Sequence, residues 1–220
     1  MTDFDHFIDR LASDARPVTP LRSPLVRTLA WLTAAAAFVG MTVLAHGLRP
    51  GLAEALASPG MRAEFIAGIA TGVLAAYAVF QISVPGRSSA WAWLPVPALL
   101  AWLSALSWSC VEQYGRLGSA ALAFAMDTWE CAAAITGISL PLGLVLLVMV
   151  RHAGVILPAR TAMLAALSAA ALSASGVTLV HAGDTALMAL VWHLGAVALL
   201  SAGSWLLGRS MFGWIGHAKR

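Results

Sequence analysis

Six runs of roughly 20 mainly apolar residues, the length an α-helix needs to cross the hydrocarbon of a bilayer, constrain this chain more than any other feature. They lie at 28–48, 63–84, 90–109, 131–150, 161–180 and 187–208, separated by short breaks rich in Pro, Gly and Arg. The runs are continuous and Leu/Ala-rich instead of alternating, so they do not read as strands of a barrel. The expected fold is therefore all-α, an integral membrane bundle of six helices. Residues 1–27 form an N-terminal tail, 28–208 the membrane domain and 209–220 a C-terminal tail.

Composition agrees. The chain is 60% hydrophobic and 10% charged, where soluble domains carry about 25% charge. That excludes a soluble enzyme and a disordered chain. Thirteen Lys+Arg against ten Asp+Glu is too even a balance for a phosphate-binding face, so direct nucleic-acid contact is not expected. No HExxH, GxSxG, P-loop or GxGxxG occurs, and no catalysis or resident cofactor is expected. The span centres hold no Asp, Glu, Lys or Arg, which argues against a transporter.

The basic residues orient the bundle. With the N-terminus inside, Arg10, Arg16, Arg22, Arg27, Arg87, Arg151, Arg160, Arg209, Lys219 and Arg220 are inner, while Arg49, Arg62 and Arg116 are outer. The positive-inside rule then puts both termini in the cytoplasm. The acidic, polar start lacks the basic region of a cleavable signal. Two helices, 63–84 and 161–180, are rich in Ala and Gly and are expected to pack against other helices. Gly68 and Gly72 have small-xxx-small spacing, which leaves a homodimer open. Kinks are expected at Pro95, Pro97 and Pro141.

In the tail, Phe4, Phe7, Ile8 and Leu11 recur at i, i+3, i+4 and i+7, one face of a helix. Thr2 is placed to cap it, Asp3 and Asp5 fall in its first turn, and Pro17, Pro20 and Pro24 end it. So short a helix is marginal alone. Its stripe needs a cover: the lipid surface, a groove on a partner protein, or this protein's own inner loops. Four Asp against one Arg in its turns favour the groove over an anionic membrane face.

Two groups of side chains gather at the outer ends of the spans. Cys110 and Cys131 bracket one loop, and three readings stand: a structural disulfide, a redox- or metal-responsive thiol pair, or inert thiols. His46, His181, Asp184 and His193 lie on the same side, with His193 about two turns inside its span. They are candidates for one outward-open polar or metal-binding cavity; a His bonded to a backbone carbonyl or to Asp184 is the simpler reading. A haem site would need paired axial ligands, for which His46 and His193 alone offer themselves. The Trp residues sit mostly at span ends, as in interfacial belts.

Several segments together resemble one family. They are the tail helix with RPVTPLRSP (16–24), GLRPGL (47–52), SVPGRS (83–88), LSWSC (106–110), DTWEC (127–131), HAGDTALMALVWHLGAV (181–197) and LLGRSMFGW (206–214). In that order, across six spans, they resemble the NrsF family of bacterial inner-membrane anti-sigma factors. The resemblance implies that the cytoplasmic face, through the Phe4, Phe7, Ile8 and Leu11 stripe, sequesters an extracytoplasmic-function (ECF) sigma factor. It also implies that Cys110 and Cys131 sense oxidant or heavy-metal stress, with at most transient metal binding. An outward-facing metal or haem binder and a small membrane assembly protein are the competing functions.

Overall fold

The computed structural model describes residues 3–13, 21–122, 129–151, 153, 155–181 and 185–216. The tail helix is α1 (Asp3–Ser13). Six helices are long and apolar enough to span a membrane: α2 (Pro24–His46), α4 (Pro59–Ile82), α5 (Val96–Leu117), α6 (Glu130–Val150), α7 (Pro158–Val180) and α8 (Ala186–Gly216). A short α3 (Leu52–Ala57) and two 3₁₀ turns, Ser89–Trp93 and Gly118–Leu122, fill the breaks. No strand occurs among the described residues.

Helix starts follow local chemistry. Four spans (α2, α4, α5 and α7) carry Pro in the first turn, where its missing N–H costs nothing and its fixed φ suits the helix. Ser23 and Ser58 cap α2 and α4 by accepting from the N–H of Val26 and Met61, each at 3.4 Å. The same rule corrects the kinks expected at Pro95 and Pro97. Pro95 is the residue before α5 and Pro97 lies in its first turn, so they begin a helix instead of bending one. Pro141 does remain inside α6. Two spans run beyond their apolar stretch, α5 to Leu117 and α8 to Gly216. Once a helix has started, each further residue adds one hydrogen bond, and polar residues continue it past the hydrocarbon.

α2, α4, α5, α8 and α6 form a ring around α7, each packing on the next. About two thirds of α7 and of α4 is buried inside the bundle, against 17–39% of the other spans. These are the two Ala/Gly-rich helices. In lipid the helices gain no hydrophobic driving force from each other, so close backbone approach and dispersion must hold them. Gly72 shows how close: a Cβ there would lie 2.6 Å from Leu172 Cγ and 3.2 Å from the Ser168 carbonyl. Ser168 Oγ donates to the Gly72 carbonyl across the same contact. Gly68 packs on Ser175 and Trp102. The small-residue face of α4 is thus used within the chain.

Successive spans alternate in direction, so the breaks gather at two ends. The tail end holds Ser23, the 83–95 turn, Arg151, Ala153, residues 155–157 and the C-terminal part of α8. The far end holds residues 47–58, 118–122, His181 and Thr185.

Candidate functional site

Far-end geometry begins with the GLRPGL break. Gly47 and Gly51 have φ of 78° and 71°, a left-handed region that favours glycine. They let the chain leave α2 and turn back over the bundle. Arg49, between them, is pinned to α7: its N–H donates to the Leu179 carbonyl at 2.9 Å, and its Nη1 reaches the His181 carbonyl at 3.5 Å. Its guanidinium overhangs a cavity of about 250 Å³, lined also by Glu64, Ser109, Glu112, Gln113, Arg116, His181 and His193.

Two of these groups are incompletely bonded. Arg49 Nε is buried and unbonded. Glu64, in the second turn of α4, is 8% exposed. The Arg49 charge acts on Glu64, yet the two do not close into an ion pair. At the rim Glu112 and Arg116 do pair, at 3.5 Å. Gln113 Oε1 accepts from the first N–H of α8, Ala186, at 2.7 Å, which joins α5 to α8.

His193 forms the inner wall. Seven residues into α8, it lies roughly 10 Å below the helix start and is 6% exposed. Its Nε2 is 3.2 Å from Sγ of Cys131, itself 2% exposed in the first turn of α6. A thiol within hydrogen-bond reach of an imidazole is the arrangement in which a proton leaves sulfur for nitrogen, and the thiolate is the reactive form.

The structure therefore sorts the candidate residues. His181 and His193 share the cavity. His46 turns back on its own helix, its Nδ1 3.0 Å from the Thr42 carbonyl, and does not line the cavity. Asp184 lies outside the described residues, as do Thr2 and Asp14. No disulfide joins Cys110 and Cys131. Cys110 is half-buried on α5, beside the cavity-lining Ser109, and the Glu64 charge reaches it. α5 and α6 pack little on each other because α8 lies against both. Among the described residues no group of three His, Cys, Asp or Glu is arranged to hold a metal ion. Cys131 and His193 supply two soft donors.

At the tail end, α1 packs on none of the spans to any extent. Phe4, Phe7, Ile8 and Leu11 are 69, 57, 48 and 59% exposed. Nearby, Arg27 is a site the sequence did not mark. It is buried at the start of α2, its Nη2 donating to the Met149 carbonyl at 2.7 Å and its guanidinium 4.6 Å over the Phe80 ring. That one side chain ties α2, α4 and α6 together. The signal available was an Arg at the very edge of an apolar run with no acid at helical spacing. Trp31 also departs from the interfacial pattern: it is fully buried and donates to the Leu142 carbonyl at 3.3 Å.

Residues 11–214 match the family NrsF, negative regulator of sigma F. No match is found among curated proteins, and none among solved structures.

Proposed function

Because the chain belongs to the NrsF family of negative regulators of a sigma factor, we propose that it is an inner-membrane anti-sigma factor that holds an ECF-type sigma factor at its tail end. The tail end faces the cytoplasm, in keeping with ten of thirteen basic residues there. The observation that carries the reading is the uncovered stripe of α1. Four large apolar side chains on one helical face, each about half exposed or more, form a ready ligand for an apolar groove. Asp3, Asp5 and Asp9 against the single Arg10 make α1 a poor fit to an anionic lipid face.

Release belongs to the far end. The Cys131–His193 pair is the reacting unit. An oxidant converts the thiolate to a sulfenic acid, which condenses with a second thiol, or a soft metal ion bridges sulfur and nitrogen. Either event changes the contact between α6 and α8. Cys110, on α5, is the second thiol of the sensing pair. Both outcomes need movement of α8, since the signal must cross about 30 Å of hydrocarbon as a shift of a packed unit.

Co-purification from solubilised membranes tests the capture step. A sigma factor is expected with the wild-type chain, and lost when Phe7 and Leu11 are both changed to Asp. Each buried anchor is worth roughly 1.5–3 kcal/mol, so capture falls by several decades while membrane insertion is unchanged. Undiminished capture by the double variant leaves the lipid-surface reading of α1.

A further inference from the structure

The far-end cavity contains more chemistry than the thiol–imidazole pair uses. Its most buried charged groups, Arg49 and Glu64, come from separate elements, face one space and remain unbridged. Arg49 is drawn toward α7 instead, its backbone N–H on the Leu179 carbonyl and its Nη1 3.5 Å from the His181 carbonyl. Its Nε–H is left without an acceptor, and Glu64, 8% exposed, closes no ion pair with it among the described residues. Unsatisfied buried polar groups are rare, and charged ones are the most costly. Orphans of opposite need on one cavity wall call for a single occupant that accepts at one end and donates at the other.

We propose that this cavity binds a small zwitterion of amino-acid size, its anionic group on Arg49 and its ammonium on Glu64. The charges select this class. Among the described lining residues two cations, Arg49 and Arg116, match two acids, Glu64 and Glu112. A lone anion would leave Glu64 unpaired and meet two carboxylates; a lone cation would leave Arg49 unpaired. An uncharged apolar molecule would satisfy neither. Volume agrees, since about 250 Å³ is the room of roughly eight waters at ~30 Å³ each, enough for an amino acid and too little for a peptide. Gln113 adds a fixed donor: with its Oε1 held by the Ala186 N–H, its amide hydrogens remain for the ligand's anionic group. The site does not depend on the sigma partner or on either cysteine.

Calorimetric titration of the full chain in lipid nanodiscs provides the test. Glycine, L-serine and β-alanine are the probes. Acetate and methylamine supply the two half-ligands, and glycine betaine a zwitterion whose ammonium cannot donate. At least one probe is expected to bind in the range of ~10 mM or tighter. The half-ligands and betaine are expected to bind roughly tenfold or more weakly, because each leaves one buried group unpaired. Arg49→Gln and Glu64→Gln are each expected to lose the same factor, and Glu112→Gln at the exposed rim to change little. No binding by any probe means a cavity filled by water alone and overturns the proposal. Acetate or betaine binding as well as glycine overturns the zwitterion and points to an anion site. The ligand series is read on the wild-type chain, so it decides the matter even where a variant fails to fold.

Discussion

The two ends of this bundle solve opposite problems. At the far end polar side chains are drawn inward: Arg49, Glu64, His181 and His193 line a half-open cavity, and Cys131 is buried beside His193. At the tail end apolar side chains are pushed outward, with Phe4, Phe7, Ile8 and Leu11 on a helix that packs on none of the described spans to any extent. An inward polar cavity suits a small reactant or ligand. An outward apolar stripe is stable only against something large. In the proposed function this contrast is the division between sensing at one end and capture at the other, with α4, α7 and α8 between them.

The sharpest way to break this contrast is to ask which compartment each end occupies. A periplasm-active reporter fused after Ala120 is expected to be active, and one fused after Ala153 inactive. The reverse pattern puts the capture stripe outside and ends the assignment.

Next in size is the packing that joins the ends. Gly72→Leu forces a branched side chain into a space where even a Cβ would sit 2.6 Å from Leu172. Overpacking of this kind costs about 1–3 kcal/mol or more, and here backbone as well as side chain must move. The variant is expected to melt well below wild type in a detergent thermal-unfolding assay, whereas Gly137→Ala, with open space around it, is expected to melt near wild type.

A smaller effect isolates the far end. His193→Gln keeps a polar group beside Cys131 but removes the imidazole base. Labelling of Cys131 by a membrane-permeant maleimide is expected to slow by about 10–100-fold, the scale of losing a positioned base, while Cys110 labelling stays the same. Mass spectrometry of both cysteine peptides checks this, and equal slowing at both sites would mean a general change in folding.

Much of the fold was legible because membrane helices advertise themselves by length. The Ala/Gly content of 63–84 and 161–180 also marked α4 and α7 as the buried pair. The site was legible only in part. His193 stood out as the ionisable residue deep in a span, but its partner is 62 positions away in sequence. Spans apolar on every side carry no periodic signal of how each helix is rotated. Without that rotation nothing indicates that His193 faces Cys131, or that Glu64 and Arg49 line one cavity. His46 illustrates the same gap: at the right end of its span, it bonds to its own helix. Pro95 and Pro97 read as kinks because the 3₁₀ turn at Ser89–Trp93 (SAWAW) is itself apolar and merges with the following helix into one run.

The measurement that bears most directly on the two-ended account is sigma-factor capture with and without oxidant. It compares wild-type chain with Cys131→Ser and with the double change Cys110→Ser, Cys131→Ser. Wild type is expected to lose its partner on oxidation, a shift of about 1–3 kcal/mol in binding, or roughly 5–150-fold. Both variants are expected to capture as wild type does and to keep the partner under oxidant. Release from the double variant at the wild-type level would contradict the account, because the far-end thiols would then play no part in what the tail end holds.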